Sequence, residues 1–419
     1  MKKTLIALAA IAAVSSAMAD VSITGYFDRG YGIVNNTNAN ANFSSVSSNA
    51  GTSQLYFKGA EKISSDLTAI FTLENDFQDN GGATQGTVVQ PSQNAGWGNG
   101  ELFIGATSAS MGTVRLGVPN SFMLGTVTSV GSPGYGTGWG SAYSTGFSIF
   151  NGIGTGATNY GGTLTTSNAL TSTTAVTGAR DIRIANTIQY SSPVMNGLSF
   201  GVGFAPQNNN VANGVGNTVG MTEYLLKYEA PQFTIAYDSA RYVVGSLGTY
   251  QNKLTPSAAS AAGVSTTGLP AALTVGDYNI LADVKGSTTP LANYTNTHNF
   301  LGGNYAINDQ IKIYGGYGSF TSSDNLAVGR STQIGASYRM GAWEFMALDA
   351  QVQDSNSGLA STGANIQLNR SMESVGANYW LSKQTRVYAR YETINFGTNT
   401  TSFAGSSQTR STLGLSTSF

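Results

Sequence analysis

Gln408-Thr-Arg-Ser-Thr-Leu-Gly-Leu-Ser-Thr-Ser-Phe419 sets Leu413, Leu415, Thr417 and Phe419 on one parity and Arg410, Thr412, Gly414, Ser416 and Ser418 on the other. Alternation over such a length is the pattern of a strand with two chemically different faces. The same pattern recurs along the chain. In 385–396, Val387, Ala389 and Tyr391 oppose Arg386, Tyr388, Arg390 and Glu392. In 67–77, Leu67, Ala69, Phe71 and Leu73 oppose Thr68, Ile70, Thr72, Glu74 and Asp76. In 181–192, Ile182, Ile184, Ile188 and Tyr190 oppose Arg183, Thr187 and Gln189. The charges stand opposite the aliphatics each time. If the aliphatic face meets lipid, the polar face must line a lumen, because hydrocarbon tolerates strands only in a closed barrel.

Such segments lie near 20–34, 52–62, 65–77, 101–110, 113–118, 181–192, 197–207, 219–230, 232–243, 297–307, 309–321, 329–340, 342–354, 370–382, 385–396 and 408–419. About sixteen strands follow, and the expected fold is an all-β, transmembrane, antiparallel up-and-down β-barrel. The connections alternate between tight turns (Ile63-Ser64, Met111-Gly112, Pro193–Asn196, Gly341, Ser382-Lys383) and long loops (35–51, 78–100, 119–180, 244–296, 355–369, 397–407). Short periplasmic turns and long outside loops give that rhythm. Tyr190, Tyr228, Tyr305, Tyr338, Tyr379 and Phe419 fall on the lipid parity near the tight turns, as one ring of an interfacial aromatic girdle. Arg29 and Glu61 break the pattern on the lipid parity and mark an interface, a subunit contact or a bulge.

Composition agrees. Only 10% of the 419 residues are charged, against about 25% in soluble proteins, and the mean hydropathy is −0.07, as alternating faces would average. There is no cysteine, so disulfides do not hold the fold. Lys2 and Lys3, the apolar run Leu5–Val14 and Ala17-Met18-Ala19 read as a secretory signal cleaved after Ala19. The domain plan is therefore a signal peptide at 1–19 and one barrel domain at 20–419, with a third loop near 119–180 and a fifth near 244–296. Loss of two lysines takes the formal net charge from −1 to −3. No clustered basic surface suggests a nucleic-acid partner.

The residues resemble the general diffusion porins of Gram-negative bacteria, most closely those of β-proteobacteria. Ser53-Gln-Leu-Tyr-Phe-Lys-Gly-Ala-Glu-Lys62 and Leu67-Thr-Ala-Ile-Phe-Thr-Leu-Glu74 are similar to that family's second and third strands. Gly112-Thr-Val-Arg-Leu-Gly117 resembles its fifth strand, Arg183-Ile-Ala-Asn-Thr-Ile-Gln-Tyr-Ser-Ser-Pro193 its sixth, and Phe419 its terminal aromatic residue. The resemblance implies sixteen strands, a homotrimer, an inward-folded third loop and outer-membrane lipid, including lipopolysaccharide, around the wall. It implies that the barrel-assembly machinery reads the strand ending in Phe419. It also implies that Lys58 is a basic pore residue, Arg115 a wall arginine and Glu74 an acidic wall residue. Gln54 and Val118 depart from the family's frequent arginines, and 116–179 contain no charged residue, so the acidic eyelet common in loop 3 is missing.

Charge lining a narrow passage sets selectivity. The lumen parity carries Asp28, Lys58, Glu74, Asp76, Arg115, Arg183, Lys312, Arg339, Arg386, Arg390, Glu392 and Arg410. Basic residues outnumber acidic ones, which predicts a weak preference for anions; the other reading is that the charges are ion pairs bracing the wall. Lys58, Arg115 and Arg183 flank the long loop and are the leading candidates. The aromatics Phe122, Tyr135, Trp139, Tyr143, Phe147, Phe150 and Tyr160 suit either a constriction or an exposed elaboration. The expected function is passive diffusion of small hydrophilic solutes and ions; a substrate-specific channel, such as one for sugars, and a poorly conducting structural or adhesive barrel stay open. The single histidine, His298, has no nucleophile–base constellation around it, and neither a metal site nor a cofactor site is expected.

Overall fold

A computed structural model describes residues 20–36, 43–77, 98, 100–143, 183–184, 186–206, 219–244, 294–322, 327–356, 366–367, 370–396 and 407–419. The expected signal segment 1–19 and all of 144–182 and 245–293 lie outside the described residues. The strands are β1 (Asp20–Asn36), β2 (Phe43–Ser47), β3 (Ser53–Lys62), β4 (Leu67–Phe77), β5 (Leu102–Ser108), β6 (Gly112–Val118), β7 (Thr187–Ser191), β8 (Leu198–Ala205), β9 (Val219–Glu229), β10 (Phe233–Val244), β11 (Tyr294–Ala306), β12 (Ile311–Ser322), β13 (Ala327–Met340), β14 (Trp343–Asn356), β15 (Ile366–Gln367), β16 (Arg370–Trp380), β17 (Thr385–Phe396) and β18 (Ser407–Ser418).

Each strand pairs antiparallel with its neighbours, and β18 returns to β1, from Tyr26↔Ser418 to Asn36↔Gln408. The sheet is thereby closed and keeps no free edge. Eighteen strands make sixteen staves. β2 and β3 lie end to end along β1, with Gly30↔Ser47 above and Tyr26↔Gln54 below, and β15 and β16 share the edge of β14. Arg29, off pattern in the sequence, sits at the first interruption. Its guanidinium donates to the Asp28 carbonyl at 2.7 Å and to the Ser48 and Ser53 hydroxyls at 3.0 and 3.1 Å.

The alternation of the sequence is the alternation of the wall. In β8, Leu198, Phe200, Val202 and Phe204 are exposed outward, whereas Ser199, Gly201, Gly203 and Ala205 are buried inward. The tyrosines Tyr228, Tyr305, Tyr338 and Tyr379 are exposed near the tight turns, and Trp343 packs on Tyr379 at 4.8 Å. A second set, Tyr31, Tyr224, Tyr237, Tyr317 and Tyr391, is exposed further up the strands from the tight turns. Aromatic rings thus stand at two heights on the lipid-facing wall.

Phe419 belongs to the seam. Its amide donates to the Gly25 carbonyl and its carbonyl accepts from the Gly25 amide, at 3.1 and 3.0 Å. Its ring stacks on Phe27 and fills the place where a side chain on Gly25 would stand, 2.6 Å from an added Cβ. A larger residue at position 25 could not share that space.

The strand expected over 181–192 is shorter than its pattern. Regular pairing covers only Thr187–Ser191, and Arg183 reaches Asn120 through one isolated bridge. Asn186 lies between them at φ 62°, a left-handed conformation that breaks an extended chain. Ile184, expected on the lipid face, consequently turns inward and packs against the buried cluster that holds Met123 and Val127. Ile182 lies outside the described residues.

Candidate pore lining and the third loop

Loop 3 leaves β6 at Pro119 and at once becomes a short helix, α1 (Phe122–Gly125), capped by the Ser121 hydroxyl, which accepts from the Leu124 amide at 3.2 Å. The Met123 amide donates to Glu223 Oε1 on β9 at 2.9 Å. A wide helical turn follows at Thr126–Val130. Met123, Val127 and Tyr143 are buried against inward residues of β8 to β11, including Ala205, Met221, Tyr242 and Phe300. The described first part of the loop, to residue 143, therefore packs inside the barrel.

From Gly131 onward the segment crosses to the far wall. Asn304 and Gln333 side-chain amides donate to the carbonyls of Val130 and Gly131, at 3.1 and 3.0 Å. Tyr135 is fully buried among Tyr314, Met346, Leu348 and Met372. Arg390 donates to the carbonyls of Thr137 and Trp139 at 2.6 and 3.0 Å, and the Gly140 amide donates to Glu392. The Ser374 hydroxyl donates to the Gly140 carbonyl at 2.8 Å. Gly138 passes so close to the β2–β3 connection that a Cβ would lie 2.4 Å from the Asn49 carbonyl, and its φ of +80° is one glycine adopts freely. The described part of the loop, 119–143, carries no charge of its own, and its backbone supplies partners for charges on the wall.

The inward charges divide by depth. Asp28, Glu74, Glu223, Asp238 and Glu392 are each at most 1% exposed. Asp28 accepts the Ala50 and Gly51 amides, and Glu392 pairs with Arg410. Glu74 accepts from Tyr56, from the Glu101 amide and from Arg183, whose other nitrogen meets Asp76 at 3.3 Å. Arg183 also donates through Nε to Asn120 at 2.7 Å, so it ties the start of loop 3 to β4. Among the described inward cations, Arg390 is the most withdrawn, at 4%. Lys58 and Arg339 are exposed, and Arg115, Arg386 and Lys312 are half-buried.

The less buried cations rest on rings. Lys58 lies 4.5 Å from the Tyr56 centroid, Arg115 5.4 Å from Phe103, and Arg386 and Arg339 5.3 and 5.9 Å from Trp380. The quadrupole of a ring holds a cation without neutralising it. Arg115 also donates to Gln189 at 2.9 Å, and Arg386 to Ser416 at 3.1 Å.

These features are a closed barrel, inward polar groups and a loop folded across the interior. The model of the Gram-negative porin family matches residues 5–399. The chain is a Gram-negative porin. As a member of that family this porin is an outer-membrane channel protein and not an enzyme. The major outer membrane protein P.IB of Neisseria gonorrhoeae is 29% identical over 265 residues, spanning 59% of this porin and 64% of that protein, just under two thirds of its length. Outer membrane porin protein 32 of Delftia acidovorans is 30% identical over 278 residues, 63% of this porin and 67% of the relative. The anion-selective porin from Comamonas acidovorans shares the fold with a TM-score of 0.61 at 19% identity, over 96% of this porin and 100% of that chain. OmpT of Vibrio cholerae, in trimer form, does so with a TM-score of 0.57 at 13% identity, over 96% and 99%.

Of the sequence candidates, Lys58 and Arg115 stand inward on β3 and β6, and Arg386 stands inward on β17 near the tight-turn end. Glu74, Asp76 and Arg183 come together in one ion-pair cluster. Arg390 does not line water; loop 3 covers it. Glu74 is likewise wall structure rather than exposed lining. His298 is buried edge-on between Tyr242 and Phe320, a packing role. Tyr56, Phe103 and Trp380 escaped the sequence reading. Their signal was there for one of them, since Tyr56 precedes Lys58 by two and shares its face.

Proposed function

We propose that this porin is a general diffusion channel for small hydrophilic solutes and ions, with a preference for anions. The observation carrying this reading is the division of charge by depth: five inward carboxylates are buried and Asp76 and Glu344 half-buried, while of the inward cations Lys58 and Arg339 reach water fully and Arg115 and Arg386 in part. In a low-dielectric passage the exposed sign dominates the field met by a permeating ion. The neutrality of 116–179 supports the same reading, because no loop carboxylate opposes the wall cations. Likeness to an anion-selective porin and to one in trimer form supports anion preference and a homotrimer. Export by the 1–19 signal, recognition of the Phe419 strand by the assembly machinery, and lipopolysaccharide around the wall complete the proposal.

Single-channel recording of refolded protein in a planar bilayer tests it, with the reversal potential read across a KCl gradient. Ohmic steps in groups of three, with the potential displaced to the chloride side, are expected. Silence, or a cation-side potential, would overturn the reading.

A further inference from the structure

The outer face of β10 to β13 changes character above the upper tyrosines. Tyr237 on β10 and Tyr317 on β12 are exposed toward the bilayer. Beyond them the outward parity turns polar: Ser239, Asn299, Ser319 and Arg330 are successive cross-strand partners on β10, β11, β12 and β13. Arg241 stands one outward position above Ser239. Side-chain hydrogen bonds run along this row, from the Tyr237 hydroxyl to Asn299 at 2.9 Å and from Asn299 to the Ser319 hydroxyl at 3.4 Å. Arg241 and Arg330 are exposed, and both stand near the long-loop ends of their strands.

A guanidinium on the lipid face of a barrel is costly at the bilayer midplane and cheap near the interface. Here two of them frame a polar strip, Arg241 eight residues from the tight-turn end of β10 and Arg330 ten from that of β13, a rise that carries them toward the outer-leaflet headgroups. Arginine matches phosphate bidentately, and its charge is attracted to anionic headgroups. Three strand spacings and a two-residue rise set the two arginines about 16 Å apart along the wall. The strip ends at β13. On the next outward faces Gln353 opposes Arg330, and four residues closer to the tight turn Asp349 is the cross-strand partner of Glu373, a pair that repels an anion.

We infer that Arg241 and Arg330, with the Ser239–Asn299–Ser319 row between them, form a docking strip for the phosphates of an anionic outer-leaflet glycolipid. This rests on the barrel standing in the outer membrane with its long loops outside, and it concerns the outer wall, not the lumen.

Binding of diphosphoryl lipid A to the detergent-purified full barrel, followed by native mass spectrometry in EDTA, tests it, with dephosphorylated lipid A and phosphatidylcholine as comparison lipids. EDTA removes any bridging divalent cation. At about 1 kcal/mol per arginine near a charged lipid surface, R241Q/R330Q should bind diphosphoryl lipid A about 25-fold more weakly than the parent, and each single variant about fivefold. D349N/E373Q should bind no more weakly than the parent. Heat-shifted electrophoretic mobility checks that each variant is folded, and R241K/R330K, which keeps both charges, should retain more affinity than the glutamine pair. Equal binding by parent and R241Q/R330Q, or equal binding of phosphorylated and dephosphorylated lipid A by the parent, would overturn the inference. Conductance and reversal potential of R241Q/R330Q should match the parent. A failure of the channel reading would appear there, and a failure of this one in lipid binding.

Discussion

Two arcs of the barrel wall carry similar inward chemistry and meet different fates. From β8 to β17 the inward face is covered by loop 3: Gln333, Ser374 and Arg390 spend their donors on the backbone of Gly131, Thr137, Trp139 and Gly140. From β3 to β6 the described loop residues reach the wall near Asn120, whose amide donates to Glu101, and Lys58 stays exposed beside Tyr56. Parity along a strand decides whether a residue faces inward. Cover decides whether it faces water. The same residue type, arginine, is thus a structural donor at 390 and a half-buried lining group at 115.

The sharpest way to break this contrast is to unseat the loop from the covered arc. Glu392→Ala removes the acceptor of the Gly140 amide and the partner of Arg410. A buried ion pair stripped of one member costs about 3 kcal/mol. Urea unfolding of the variant in lipid vesicles should register that loss, with noisier and larger channel steps alongside. Gly138→Val follows in size. Valine tolerates neither a φ of +80° nor the Asn49 carbonyl, at a cost of about 2 kcal/mol, and the conductance should rise as the loop leaves its seat.

Changes on the uncovered arc should act on ions rather than on stability. Lys58→Glu with Arg115→Gln removes two cations and adds an anion, so the reversal potential across a KCl gradient should move to the potassium side. Thermal unfolding of a surface-type variant of this kind shifts by under about 0.5 kcal/mol per site. The smallest effect lies outside both arcs, in a tight turn. Asp66 accepts from Ser108, from Ser110 and from the Ala109 amide, and these hydrogen bonds hold its carboxyl below the ordinary aspartate range. A depressed folded value stabilises above the ordinary range, and the benefit is lost as pH falls through the folded value. Asp66→Asn should therefore unfold slightly more easily than the parent at pH 7, and the difference should vanish in acid.

Much of the wall was legible in the sequence because the strand period is two and lipid enforces it. The 408–419 alternation appears unchanged in β18, and the tight turns fall where Ile63-Ser64 and Ser382-Lys383 stand. The break at Asn186 was not legible, since Asn-Thr within a run of alternating aliphatics carries no glycine or proline to announce it. Arg390 and Glu392 were read as pore charges because parity is a one-dimensional signal. What covers them is a loop more than 240 positions away in sequence, attached through backbone groups that every residue possesses. A loop that binds by its amides and carbonyls leaves no side-chain trace of its partner.

The absence of cysteine offers the most direct test of covered against uncovered wall, because each introduced thiol is unique. Single variants K58C and R115C, on the uncovered arc, and Q333C and S374C, on the covered arc, can be exposed in planar bilayers to a charged methanethiosulfonate reagent while current is recorded. The account predicts rapid modification and a stepwise fall in current at 58 and 115, with 333 and 374 unreactive. Comparable reaction at all four positions would mean that loop 3 does not shield the β8–β17 wall, and would contradict it.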